Sequence, residues 1–457
     1  MNASLQTPRC KGSGTPKKVG WAWTFAVLLA TAMIGGCTPP VGDIIGHRTV
    51  AQDPLPKSVS IQEVDGGRDF YSRFSPSLPN GDGYFPVGVW FESVTQPSDV
   101  DQDRAAGINT YIQLTANSDL SLIKASGLQA LPSSPSPLAS GYLLSDEVDM
   151  WAGGGSNKWT GKSQGEGVIC DPPDSGCGFT VQEAMAGKLP ANALTYANYG
   201  KGVTFHLKNP EAAQFVNSYQ DVISADNYWF TDPYICSLVE GGAVFAGGRD
   251  LTDGECRIAA HYGWTVDRVR SLVQPARSKP VWAFVEVGHP FSEPGSLAIT
   301  APQIRAAVWS SIIHGARGVV YFNHNFGGEC LSQHVLRDDC GAAVRPTVTA
   351  LNQQIQRLAP VLNSPTVNGL VSADGRRVDV LVKAYQGQFY LMAAANSEAN
   401  QSVTFSFACG SPVTAEVLDE NRSVNVSANS FTDNFADSNA VHIYKFNSGN
   451  TCGLGLG

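Results

Sequence analysis

No Gly-x-Ser-x-Gly elbow, His-Glu-x-x-His helix, phosphate-binding glycine loop or dinucleotide fingerprint occurs in the 457 residues. Serine-esterase, zinc-protease, nucleotide-hydrolase and nicotinamide chemistry therefore have no local motif to stand on. Paired Cys-x-x-Cys sets are missing as well, which removes structural zinc of the usual spacing. Asp99-x-Asp101-x-Asp103 begins like a calcium loop, but the glycine at the sixth place and the glutamate at the twelfth are absent, so solvated helix carboxylates are the expectation. Positive charge is scarce: 31 basic residues against 40 acidic ones give a formal net charge of −9. Arg9, Lys11, Lys17 and Lys18 all precede Cys37 in a stretch without a carboxylate, so the rest of the chain is more acidic still. Such a body repels phosphate backbones, which argues against nucleic acid and for a neutral or weakly charged polymer as partner. No internal repeat is present.

A leader opens what is there. The apolar run from Trp21 to Ile34 is short against the roughly 20 residues of a membrane span and is broken at once by Gly35-Gly36, so residues 1–36 read as a signal peptide. Ile34-Gly35-Gly36-Cys37 resembles the lipobox of bacterial lipoproteins. That resemblance implies cleavage before Cys37, a diacylglyceryl group on its sulfur, and a cell-membrane anchor on the extracytoplasmic side. Residues 37–80 read as the lipidated cysteine and a linker, of which Pro39 to Lys57 lifts the body off the membrane. Of the 10 cysteines, those other than Cys10 and Cys37 are even in number, and in an exported chain they read as disulfides. Spacing leaves their connectivity open. Nearest-neighbour pairing, Cys170 with Cys177, Cys236 with Cys256, Cys330 with Cys340 and Cys409 with Cys452, would staple local loops.

The chain is 43 % apolar, enough for a large core. From Tyr84 onward, short apolar runs alternate with stretches of helical spacing. Phe85–Phe91 ends on Glu92, Ile108–Leu114 and Leu128–Leu131 follow, and Gly141–Ser145 runs into Asp146-Glu147. Tyr196–Gly200 and Val222–Ala225 come next, the latter ending on Asp226-Asn227-Tyr228-Trp229. Val281–Val285 leads to Glu286, Thr300 caps a helix with Pro302 in its first turn, and Gly318–Phe322 leads to Asn323-His324. This rhythm predicts a (β/α)8 barrel, an α/β TIM barrel, over residues 81–364. Two long insertions, Gly153–Gly178 and Pro233–Cys256, lie where loops cover a site. Past Pro365 the period becomes two, and residues 365–457 are expected to form a small all-β antiparallel sandwich.

In a barrel the chemistry sits at the carboxyl ends of the strands. Glu147 follows the fourth predicted strand and Glu286 the seventh. On those residues, and over roughly Tyr84 to Leu362, the chain resembles the retaining glycoside hydrolases of the (β/α)8 clan that holds the cellulase-like and β-galactosidase-like families. The resemblance implies Glu147 as acid/base, with Asp146 or Asp149 open for the acid role, Glu286 as nucleophile, carbohydrate as substrate, and neither metal nor cofactor. The chemistry is consistent with this: two carboxyls about 5 Å apart can protonate a leaving oxygen and form a covalent glycosyl intermediate. Their pKa values must then be pushed apart. Two departures stand out. Asp146 occupies the place where many members carry asparagine, and Tyr321-Phe322-Asn323-His324 lacks the tryptophan common after strand eight. Asp146 raises the pKa of Glu147 only if both side chains face the same way, which neighbours on a strand do not.

Trp90, Glu92, Asn198, Asp226, Tyr228, Trp229, His289, Asn323 and His324 all fall at predicted strand exits and are candidate sugar contacts. The expectation is a lipid-anchored glycosidase acting on extracellular or cell-envelope glycan, with an exo-type pocket. The alternative is a non-catalytic carbohydrate-binding lipoprotein built on a degenerate hydrolase barrel.

Overall fold

The structure, a computed structural model, describes residues 59–397, 400–410 and 413–446. The leader and Cys37 lie outside the described residues. Eight parallel strands form a closed ring: Val87–Glu92, Thr110–Leu114, Gln129–Leu131, Tyr142–Asp146, Thr195–Tyr199, Val222–Ala225, Ala283–Glu286 and Val319–Phe322. Strands one to three pair in order, four to six pair in order, seven pairs with eight, and eight closes back on one. The two remaining seams are looser. Ser140 N and Leu143 N donate to Ala130 O (2.8 Å) and Pro132 O (3.0 Å) across strands three and four, and Trp282 N donates to Ile223 O (2.8 Å) across six and seven.

The strands form where they do because they are buried on both faces, which favours unbroken apolar runs over alternation. Ile112, Leu131, Leu143, Tyr196, Trp282, Phe284 and Val320 fill the barrel interior. Val285, Val319 and Tyr321 point the other way and meet the surrounding helices. Ala301–Ile313 starts as its sequence suggests: Thr300 and Gln303 form a capping box, with proline in the first turn. The third unit has no helix. Pro132, Pro135 and Pro137 lie between its strand and the next, and each denies the helix a backbone donor.

The expected linker over residues 37–80 needs correcting from residue 59 onward. Ser60–Gln62 pairs antiparallel with Thr366–Asn368 and so belongs to the second sheet system. Phe70, Tyr71 and Leu78 then plug the amino-terminal end of the barrel against Trp282, whose Nε1 donates to the Tyr71 hydroxyl at 3.3 Å. A segment that closes a barrel floor through one 3-10 turn has no periodicity for a sequence reading to detect.

Beyond the barrel is the antiparallel sandwich. A seven-stranded sheet runs in the order 60–62, 366–368, 378–385, 388–395, 441–446, 414–417, 422–425, and a three-stranded sheet of 371–373, 401–407 and 430–435 faces it. Leu391, Phe405, Phe431, Phe435 and Tyr444 fill the space between the sheets. The central hairpin turns at Gln386-Gly387, both with positive φ (48° and 71°), the conformation a tight two-residue hairpin requires. On its outer face the large sheet presents Leu381, Tyr390, Met392 and Ile443, which join the barrel's helical layer at Trp309, Ile355 and Leu358. The change of pattern near Pro365 therefore marks a change of architecture, with one apolar cluster running across the boundary. His314 clasps the two parts, with Nδ1 2.6 Å from Asp267 and Nε2 3.2 Å from Asp379.

Disulfides join Cys170 to Cys177, Cys236 to Cys256, and Cys330 to Cys340. Cys409 is disulfide-bonded too, and Cys452 lies outside the described residues. Among the described residues no helix is long and apolar enough to cross a membrane.

Candidate active site

The carboxyl ends of the strands open into a cavity of about 430 Å³, within the ~300–1,000 Å³ range of small-molecule sites. One wall comes from strands four to six and carries Asp146, Glu147, Asn198, Lys201, Asp226 and Asp232. The facing wall comes from strands one, seven and eight and carries Trp90, Phe284, Phe291, Phe322 and Phe326, with Tyr228 joining it. Tyr228 packs edge-on or tilted against Phe284, Phe291 and Phe322.

On the acidic wall the backbone breaks the rule of alternation. Glu147 has φ 46°, ψ 31°, a left-handed conformation that is costly outside glycine. That kink turns Glu147 to the side Asp146 already faces, so both carboxyls line the cavity. The sequence expectation that neighbours diverge therefore does not apply at this pair. Gly200 makes the turn possible, since a Cβ there would come within 2.6 Å of Glu147 Oε1. Asp149 fixes the same corner from below: buried, it accepts from Gly200 N (3.1 Å) and Val203 N (2.7 Å), tying the exit of strand four to that of strand five.

Asp226, leaving strand six, lies within hydrogen-bonding reach of Glu147. Its Oδ2 receives the Tyr228 hydroxyl at 3.3 Å, while its Oδ1 is buried without a protein partner. Burial, then the like charges of Glu147 and Asp146, push its pKa well above the ordinary carboxylate value. Glu147 is raised by burial too, but the Lys201 ammonium and the contact with Asp226 pull it back. Asp146, which accepts from Asn198 Nδ2 at 3.0 Å, is pushed up to about 7 by its surroundings and by Glu147. Its side chain is ringed by protein yet open to the cavity's water, so solvent shares in that environment. Lys201 is itself held by Asp232 (2.6 Å) and Glu240 (2.7 Å), which keeps it charged. Like charges in one cavity cannot all ionise at neutral pH, so the cluster holds at least one proton. Electrostatics favour Asp226 as the proton's seat and Glu147, beside the ammonium, as the ionised member.

Glu286 is placed differently. By alternation with Phe284 it sits on the inward register of strand seven, paired with Phe322. Its carboxylate, 0 % exposed, is not part of the cavity wall. The Tyr262 hydroxyl lies 2.7 and 2.8 Å from its two oxygens and the Thr231 hydroxyl donates at 3.1 Å. Burial pushes it up to about 7.

Of the expected sugar contacts, Trp90, Asn198, Asp226 and Tyr228 line the cavity. The others have different roles, and the expectation is corrected for each. Glu92 is fully buried against Arg337 (3.2 Å), His334 (2.5 Å) and Asn323, which also engages it. Trp229 is buried among Phe205, His261 and Trp264, with its Nε1 on Thr265 at 2.9 Å. His289 lies 2.9 Å from Ser296. His324 packs against Phe91, Phe322 and Phe326 behind the aromatic wall. Sequence reasoning missed Lys201, Asp232, Tyr234, Phe291 and Phe326, which sit in loops. The signal available was their place one to nine residues after a predicted strand.

Among the described residues no group of three or more His, Cys, Asp or Glu could hold a metal ion. The expectation of solvated helix carboxylates at Asp99-x-Asp101-x-Asp103 is corrected for Asp103, which is buried against Arg337 and Tyr111. No family model and no curated protein matches the chain. Among solved structures the fold is similar to that of a glycoside hydrolase at 11 % identity and TM-score 0.45, covering 80 % of this chain and 93 % of that one. It is similar also to a family 5 glycoside hydrolase of Bacteroides vulgatus (10 %, TM-score 0.44, 80 % and 90 % covered). A family 39 glycoside hydrolase of Bacteroides cellulosilyticus gives 10 %, 0.44, and 81 % and 83 %. At these scores the likeness adds nothing to the closed ring of strands, which by itself defines the TIM barrel.

Proposed function

We propose that the protein is a glycoside hydrolase whose working pair is Asp226 and Glu147. The observation that carries this reading is the meeting of two carboxyls from strands four and six at one open cavity, with an ammonium in the same wall that lowers the pKa of Glu147. Asp226 gives its proton to the glycosidic oxygen. Glu147 supplies negative charge beneath the developing oxocarbenium carbon and bonds to it, and Asp226, now ionised, draws a proton from the water that releases the sugar. A covalent intermediate on Glu147 would leave the configuration retained. Asn198 holds Asp146 at the edge of the pair, and Tyr228 orients Asp226.

Glu286 is the second reading for the nucleophile, favoured by its inward register on strand seven. Turnover by the full chain separates the two, comparing neutral oligosaccharides with aryl glycosides whose leaving groups need no proton. Asp226→Asn should lose about 10²–10⁴-fold on oligosaccharides and keep most of its kcat/KM on the activated aryl substrates. Glu147→Gln should lose both, and Glu286→Gln should retain both. Loss of both in Glu286→Gln, with aryl turnover kept in Glu147→Gln, would transfer the roles to the strand-four and strand-seven glutamates. If wild-type protein cleaves nothing and yet retains a glycan, the carbohydrate-binding reading replaces the enzyme.

The proposal places the protein outside the cytoplasmic membrane on a lipid at Cys37. Disulfides beside three loops fit an oxidising compartment. Wild-type protein should partition into a detergent phase from membranes, and Cys37→Ser should not.

A further inference from the structure

The mouth of the cavity is ringed by large apolar side chains that the fold leaves uncovered. Met150 from the exit of strand four is 42 % exposed, Tyr234 from the strand-six loop 59 %, and Phe326 from the strand-eight loop 48 %, and all three line the cavity. Single exposed apolar residues are ordinary, but three on one rim over an acidic floor mark a binding surface. Phe326 is held in place by Phe322 and His324 at ring separations of 6.1 and 5.7 Å, so this side of the rim is preformed.

Charge narrows what the rim receives. The cavity wall holds one cation, Lys201, and it is already engaged by Asp232 and Glu240, both buried. No arginine lines the cavity, while Asp146, Glu147, Asp226, Asp232 and Glu293 do. A uronate or sulfate entering here would meet carboxylates and no free partner, at the cost of desolvating its charge. An uncharged ring has hydroxyl donors for the carboxylates of the wall and an apolar face for the aromatic side chains.

We propose that Tyr234 and Phe326 form the platform for the leaving sugar unit of an uncharged oligosaccharide, whose neighbouring unit occupies the acidic cavity. This rests on the hydrolase reading for the direction of cleavage, but the platform itself is a binding property. Tyr234 and Phe326 are specificity residues that carry neither the transferred proton nor the nucleophile, so their removal acts on binding.

The test uses the full chain with two readouts. On neutral oligosaccharides, Tyr234→Ala and Phe326→Ala should each raise KM roughly tenfold with kcat nearly unchanged. On a monosaccharide aryl glycoside with a small leaving group neither should matter, and uronate-containing oligosaccharides of equal length should be poor substrates for all forms. Unchanged KM in both variants, or a preference for the uronate substrate, overturns the proposal. If wild-type protein shows no turnover at all, the hydrolase reading fails separately, and retention of neutral glycans in an affinity gel judges the platform. Retention lost in the double variant supports it, and retention that is absent or survives the double variant overturns it.

Discussion

Glu147 and Glu286 both follow an apolar barrel strand in the sequence, and the fold treats them in opposite ways. Glu147 enters its loop through a left-handed residue, its own, and so turns toward a wetted cavity where a second carboxyl and an ammonium await it. Glu286 continues its strand and is enclosed by two hydroxyl groups, fully shielded from solvent. Both are raised by burial. Only Glu147 has a neighbour, Lys201, that restores its charge. A carboxylate at a strand end becomes a candidate catalyst through the conformation of the first loop residue and through what the next strand's loop brings to meet it.

Lys201→Met breaks the comparison from the reactive side and should have the largest effect. Asp232 and Glu240, buried and holding Lys201 at 2.6 and 2.7 Å, would be left as uncompensated buried charges, which costs about 3–5 kcal/mol of stability. Denaturant unfolding measures that loss. The variant that folds should also have its activity displaced along the pH axis. Lys201 lowers the pKa of Glu147, so without it Glu147 ionises at higher pH, and the acidic limb of kcat/KM moves upward. An unmoved limb would mean that Glu147 is not the ionised member of the pair.

The barrel was legible because strands buried on both faces appear as apolar runs that end in polar residues, and Val281 to Glu286 is as clear an example as the chain contains. The local disulfides were legible because the cysteines fall close together in sequence: Cys170 and Cys177 lie within one insertion and have no nearer partner. What escaped was whatever depends on a single backbone angle or on loops from different strands converging. Nothing in Asp146-Glu147-Val148 announces a left-handed residue. Lys201, Asp232 and Glu240 are dispersed over two loops, and only the fold brings them together. Glu92 looked like Glu147 in sequence, but Arg337, far along the chain, claims it. The segment around Phe70 read as linker because its apolar residues plug a floor and follow neither helical nor strand spacing.

Glu286→Gln tests the enclosed side, with a smaller effect that is read from stability. Burial raises Glu286 from 4.5 to about 7, so the folded protein holds this proton more tightly than the unfolded chain does. The stabilisation is fully present below the unfolded value of 4.5 and is lost as pH rises through about 7. Wild-type protein should therefore lose stability across that window by up to about 3 kcal/mol from this group, at 1.36 kcal/mol per pKa unit. Asp146 and Asp149 titrate in the same window, so the quantity to measure is the difference between the two pH profiles of unfolding free energy. Glutamine has no proton to lose, and the variant's profile should be flatter than wild type between pH 4.5 and 7. Tyr262→Phe sharpens the result. Its hydroxyl favours the ionised carboxylate, so removing it should steepen the wild-type decline while leaving the acidic limb of kcat/KM where it was. If that limb moves with Tyr262, Glu286 takes part in turnover and the contrast with Glu147 fails.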